Sequence, residues 1–240
     1  MKLIHAELLK LATLPAAWIA SALALILPAG VAALNARSDV PRGVDAGFQD
    51  LAAGVIGAVV LGVVAVSSEY FAEGSESGGG RQLTTSLTVA ASRSRLLLAK
   101  AAALAMTVGL LALVSSAIAL TTSSLTGTTI STAELPRVGG VIAYWILTAL
   151  LAASITLVTR SGIIPLTFFI VNASVVSVSF LLSKVTRWAN YLPDLAGMRM
   201  FLRDLRTSFE IAPVTGGLVM GLWVVLVAGI GVTVFTRRDA

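Results

Sequence analysis

The sequence predicts an all-α membrane protein: six transmembrane helices, an N-terminal interfacial helix, a short helix between spans two and three, and an amphipathic hairpin between spans five and six. Two observations carry this. Of 240 residues, 57% are hydrophobic and only 12% charged, against about 25% charged in an ordinary soluble domain. The 17 basic and 12 acidic residues are also segregated, because residues 11–36, 51–68, 101–133, 138–159, 161–183 and 211–236 contain none of them. At ~1.5 Å per residue, each of these stretches crosses or nearly crosses a hydrocarbon layer of about 30 Å.

The elements follow in chain order. Residues 2–11 place Ile4, Leu8 and Leu11 at helical spacing with Lys2, His5 and Lys10 elsewhere on the wheel, which predicts an interfacial helix leading into the membrane. Lys2 and Lys10 precede an apolar run, but that run is about twice the length of a signal-peptide core and Glu7 interrupts the basic segment, so the first helix is expected to be retained. Span one covers about 14–34, with Pro15 in its first turn, where the missing N–H costs little. Span two covers about 48–67. The Gly78-Gly79-Gly80 run marks a break, after which Leu83, Leu87 and Ala90 recur at helical spacing and predict a short helix over about 81–91.

Spans three, four and five cover about 96–120, 138–159 and 161–183. Only Arg160-Ser161-Gly162 separates the last two, which predicts a tight helical hairpin. Between Lys184 and Pro213, Met198, Leu202, Leu205 and Phe209 form an apolar stripe, and Arg199, Arg203 and Arg206 repeat the spacing one residue later. That pattern predicts a helix lying in the interface plane, with Trp188 and Tyr191 as an aromatic belt beside it. Span six covers about 214–235. The chain is thus read as one transmembrane domain over 1–240, with no room for a nucleotide-binding domain.

An even number of spans puts both termini on one side. With the termini cytoplasmic, the inner segments hold nine basic residues and the outer ones eight, or five once the three arginines of the amphipathic stripe are set aside. The positive-inside rule therefore favours cytoplasmic termini.

The same pattern excludes several kinds of chemistry. The net charge of +5 belongs to short segments beside membrane spans, where headgroup contact explains it better than nucleic acid does. No ionisable residue lies near the centre of a span, which argues against proton-coupled carriers, pumps and intramembrane metalloproteases. There is no cysteine and one histidine, His5, at the N-terminal flank, so no metal site is expected. Gly78-Gly79-Gly80-Arg81 is followed by Gln82 rather than a Lys-Ser or Lys-Thr pair, so it is not a phosphate loop.

Small residues recur at intervals of four: Gly54, Ala58 and Gly62 in span two, Ala101, Ala105 and Gly109 in span three, Gly217 and Gly221 in span six. Such faces let helices approach closely, either within the chain or between subunits. Apart from hydroxyls, the polar content of the spans is Asn172, near Ser174, Ser177 and Ser179. These groups either bond to neighbouring carbonyls or line a weakly polar path, one suited to an amphipathic cargo better than to an ion.

On particular motifs, the chain resembles the membrane subunit of an ABC-2 type ABC transporter, a six-span exporter permease of the kind common in actinobacteria. Glu69-Tyr70 with Gly74 is similar to that family's Glu-Tyr-x-x-Gly-Thr, with Ser75 in place of threonine. The run from Arg81 through Thr84-Thr85 to Arg93, Arg95 and Lys100 is similar to its entry into the third span, although Ala91-Ser92 stand where a proline is usual. Tyr191-Leu192-Pro193 and the Arg237-Arg238-Asp239 ending complete the likeness. The resemblance implies a half-transporter in the cell membrane with both termini cytoplasmic. In it the 81–91 helix is the cytoplasmic coupling helix that docks on a separate ABC ATPase subunit. Glu69, Tyr70, Gly74, Arg81, Leu83, Leu87, Arg93 and Arg95 would form or flank that contact. Two permease copies, or this chain and a paralogue, would pair with two ATPase subunits that hold ATP and Mg; this chain would bind no cofactor and catalyse nothing. A peptide antibiotic, drug or lipid fits as cargo, and drug resistance or producer immunity as role. The rival readings are a carrier or flippase without an ATPase, and a structural membrane assembly protein.

Overall fold

The computed structural model describes residues 2–37, 43–68, 93–126, 131–174, 177–205, 207 and 209–238. The coupling segment, with Glu69, Tyr70, Gly74, Arg81, Leu83 and Leu87, lies outside these residues. Among the described residues the regular structure is helical: α1 (Lys2–Thr13), α2 (Pro15–Ala36), α3 (Val55–Ser67, entered through a 3-10 turn Gln49–Gly54), α4 (Arg93–Leu125), α5 (Leu135–Thr159), α6 (Ile163–Ser174), α7 (Val178–Val185), α8 (Pro193–Met198) and α9 (Pro213–Arg238). Among the described residues, five helices are long and apolar enough to cross a membrane: Pro15–Ala36, Gln49–Ser67, Ser94–Leu125, Thr132–Thr159 and Pro213–Val234.

These five correspond to expected spans one to four and six. The tight hairpin is also present. Arg160 takes a left-handed conformation at the C-terminus of α5, its N–H bonds to the Thr156 carbonyl at 2.8 Å, and α6 starts three residues later. Residues 161–183, however, do not form one span. They supply α6 and most of α7, two short helices, and Ser177, immediately before the second, is not helical. Ser177 Oγ accepts from Phe180 N–H at 3.2 Å and so caps a new helix, while Val178 N–H bonds to Asn172 Oδ1 at 3.1 Å. A count of ionisable residues does not register such amide and hydroxyl groups, which is why the stretch reads as a continuous span.

The second departure is the amphipathic helix expected over 198–209. Helix α8 ends at Met198, and turns and coil follow. The reason is visible in the backbone. Arg203 N–H and Asp204 N–H donate to the carboxylate of Asp45 at 2.9 and 2.7 Å instead of to carbonyls one turn back. Arg199 is buried rather than displayed on a basic stripe.

Helix α5 is the central post. It packs against α3, α9 and α4, with further contacts to α6 and α8. Its Trp145 is fully buried and donates Nε1–H to the Leu51 carbonyl at 3.2 Å. A Cβ on Gly54 would lie 2.3 Å from that indole, and one on Gly62 would lie 2.2 Å from the Ala149 carbonyl oxygen. The Gly54, Ala58, Gly62 stripe is therefore an intramolecular seam between α3 and α5. Gly217 meets Met200, whereas nothing lies within 4 Å of a Cβ placed on Gly221. Pro28 is buried inside α2 and removes the bond that the Ala24 carbonyl would accept. Ser115 Oγ of α4 donates to that oxygen at 3.1 Å, the kind of substitution that keeps backbone groups satisfied in lipid. Large apolar side chains of α9, among them Val214, Leu218, Val225 and Ile230, face outward, as expected of a helix solvated by acyl chains.

Candidate functional site

The charges that fall among apolar helices are paired near the two ends of the bundle, and an apolar cavity lies nearer one of them. The first pair sits where α3 ends and α4 begins. Lys100 Nζ donates to Glu7 Oε2 at 2.8 Å and to the Ala65 carbonyl at 3.0 Å, with both side chains at most 10% exposed. One ammonium thus joins the N-terminal helix, the last turn of α3 and the first turns of α4. Helix α1 lies against α4 through Glu7 and Leu11, its buried residues. The stripe expected from Ile4, Leu8 and Leu11 therefore faces the bundle, with a glutamate in its midst.

The second pair sits at the opposite ends of these helices. The Arg137 guanidinium is ion-paired to Asp45, donates Nε–H to the Phe201 carbonyl at 2.8 Å and Nη1–H to the Val44 carbonyl at 3.1 Å, and lies 3.9 Å from the centre of the Phe48 ring. Asp45 in turn accepts from the backbone of residues 203 and 204. A single arginine, in the geometry that its planar fork allows, ties the α2–α3 connection and the 199–204 turn to the start of α5. Beside it, Arg199 donates to Thr207 Oγ1 and to the Phe209 carbonyl and pairs with Glu210 at 3.7 Å.

Between α3, α5, α6 and the α7–α8 region lies a cavity of about 410 Å³, within the range of small-molecule sites. Its walls are mostly aliphatic and aromatic. Val55, Val59 and Val60 come from α3, Leu151 from α5, and Phe168 and Phe169 from α6. Its polar lining comprises Asn172, Ser177 and Asp194, with Tyr144, Thr148 and Ser179. Asn172 Nδ2 and Ser177 Oγ both donate to Asp194 Oδ2 at 2.9 Å. Asp194 Oδ1 is buried and has no hydrogen-bond partner.

Of the residues expected to matter from sequence, Arg93 opens α4 and Arg95 is exposed on its first turn. Met198 lines the cavity, Leu202 is buried and Leu205 partly so, while the Arg203 and Phe209 side chains are exposed. Arg206 lies outside the described residues. Asn172 and Ser177, expected either to bond to neighbouring groups or to line a weakly polar path, line the cavity and bond to Asp194. Sequence reasoning missed Glu7–Lys100, Asp45–Arg137 and Asp194. The available signal was an isolated charge inside or beside an apolar run, which in a membrane demands a counter-charge or a task.

Residues 3–187 match the family model described as ABC-2 family transporter protein. No curated protein matches the chain.

Proposed function

The chain belongs to the ABC-2 transporter family and is a multi-pass membrane permease of an ABC transporter; from that premise we propose that it exports an apolar or amphipathic substrate, driven by a separate ATPase. The observation that carries the cargo class is the cavity: about 410 Å³, walled mostly by valine, leucine and phenylalanine, with a small polar cluster of Asn172, Ser177 and Asp194. Such a site favours a molecule with an apolar body and a small polar head over an ion or a sugar phosphate. The charges that do fall in the long helices, Lys100 and Arg137, are already paired with Glu7 and Asp45, and among the residues that line the cavity Asp194 alone carries a carboxylate. A peptide antibiotic, a drug or a lipid satisfies these requirements.

In this reading the 81–91 helix docks on the ATPase, the termini are cytoplasmic, and two permease chains, identical or paralogous, pair with two ATPase subunits that hold ATP and Mg. The Glu7–Lys100 pair supports the coupling scheme. A push on the segment between α3 and α4 reaches both helices directly, and Lys100 carries it to α1, so that three elements move together as one rigid unit. This chain would transmit the movement without hydrolysing ATP.

The test is co-purification followed by transport. A stoichiometric subunit bearing a phosphate loop should accompany the wild-type chain, and ATP should drive uptake of an amphipathic probe into inside-out vesicles. Leu83→Glu and Leu87→Glu should each abolish ATP-dependent uptake without reducing the amount of chain in the membrane. Uptake and ATPase association that survive both changes would remove the 81–91 segment from the coupling role.

A further inference from the structure

We infer that the cavity between α3, α5 and α6 selects amphiphiles with a cationic head, and that Asp194 is the group that selects them. The inference rests on the amphiphile reading of the cavity and adds the sign of the charge. Asp194 is the second residue of α8 and lines the cavity together with Asn172 and Ser177. Only one of its oxygens is used. Oδ2 accepts from both Asn172 and Ser177 at 2.9 Å; Oδ1 is buried with no donor, and among the described residues no lysine or arginine nitrogen is within ion-pair distance of it. Buried polar atoms are nearly always satisfied, and leaving one unmade in apolar surroundings is unfavourable.

The contrast with two other buried carboxylates sharpens the point. Glu7 is paired with Lys100 and Asp45 with Arg137. In those places the chain supplies the cation itself; at Asp194, a residue that lines the cavity, it supplies two neutral donors to one oxygen and leaves the other buried without a donor. What completes the set is a donor that carries positive charge, because a charge-assisted bond is the strongest available to a carboxylate and a cation offsets the cost of burying the anion. The rest of the cavity requires the remainder of the ligand to be apolar. Both demands together describe a primary or secondary amine, or an amidine, on an aromatic or aliphatic body. Two neutral donors on Oδ2 also fix the carboxylate's orientation, so the ligand head meets a preset acceptor.

The experiment uses the full chain in nanodiscs of neutral phosphatidylcholine, so that no anionic lipid attracts the cation. Dansylcadaverine, a primary amine on an aromatic body, is titrated against its neutral N-acetyl derivative, with empty nanodiscs subtracted and dansyl emission as the readout. The expected result is binding of the amine at least about tenfold tighter than the acetyl form. Asp194→Asn should bring the amine to the level of the acetyl form and leave the latter unchanged, which also shows that the variant is folded. If Asp194→Asn does not fold, the wild-type ratio of the two probes decides alone. Equal binding of both probes, or an amine affinity that survives the substitution, overturns the cation selectivity while leaving the cavity an amphiphile site. Absence of binding by either probe overturns the selectivity together with the cavity's role in cargo binding.

Discussion

Replacing Lys100 by methionine should cost the protein far more than a single surface-lysine substitution does. Lys100 Nζ lies 2.8 Å from Glu7 Oε2, and the two side chains are 7% and 10% exposed, so the glutamate left behind cannot be rehydrated without moving α1. Breaking a buried pair from one side costs about 3–5 kcal/mol, and the lost bond to the Ala65 carbonyl adds about 1 kcal/mol. At roughly 2–4 °C per kcal/mol for a chain of this size, the apparent Tm should fall by about 8–24 °C. The assay is thermal unfolding of the detergent-purified chain, run as a double-mutant cycle with Glu7→Leu. Lys100→Met and Glu7→Leu should each destabilise. The double substitution, which leaves no unpaired charge, should recover most of the loss, because apolar replacement of a whole buried pair is often neutral. Two single effects that simply add in the double variant would refute the pairing and with it the claim that α1 is held to α4 by charge.

Arg137→Lys keeps the charge but cannot reproduce the three directions in which the guanidinium donates, to Asp45, the Phe201 carbonyl and the Val44 carbonyl. It should cost about 3 kcal/mol and speed proteolysis within residues 199–212, read by limited digestion. Gly62→Ala would place a methyl group 2.2 Å from the Ala149 carbonyl oxygen and should destabilise by about 1–3 kcal/mol. Gly221→Ala meets nothing within 4 Å and should change stability by less than about 0.5 kcal/mol. Thermal unfolding of the two variants side by side separates the intramolecular seam from the open face.

The long helices were legible because their signal is an absence of charge over many residues, a property that needs no knowledge of neighbours. Their ends were less so. Helix α4 runs from Arg93 to Leu125, beyond the expected 96–120, because the Thr and Ser side chains of its tail turn back onto carbonyls of the preceding turn, as Thr121 and Thr122 do, instead of ending the helix. The 198–209 pattern misled for the converse reason. Its spacing is helical, yet Asp45, distant in sequence, takes the N–H groups of residues 203 and 204 and Arg199 turns inward to cap the loop. Local periodicity describes what a segment would do alone, and a buried carboxylate from another connection is a stronger partner than the next turn. Asn172 and Ser177 were noticed as polar. Their joint target, Asp194, could not be placed from sequence because it stands in a different connection.

The interruption between α6 and α7, the cavity and the free carboxylate oxygen are best understood as one feature. A helix broken within the apolar layer frees backbone groups that lipid cannot satisfy, and such breaks persist where the freed groups face protein or a cavity. Here Asn172 Oδ1 takes the Val178 N–H and Ser177 Oγ takes the Phe180 N–H. The donors of the same two side chains, Asn172 Nδ2 and Ser177 Oγ–H, converge on Asp194 Oδ2. The two residues that make the break tolerable are thus the two that orient the carboxylate, and both line the cavity. Closing the break should therefore remove the site. Replacing Asn172 and Ser177 by leucine takes away both cap acceptors and both of Asp194's donors at once. If the proposed selectivity arises from this arrangement, the amine preference should vanish in that variant even though Asp194 is still present.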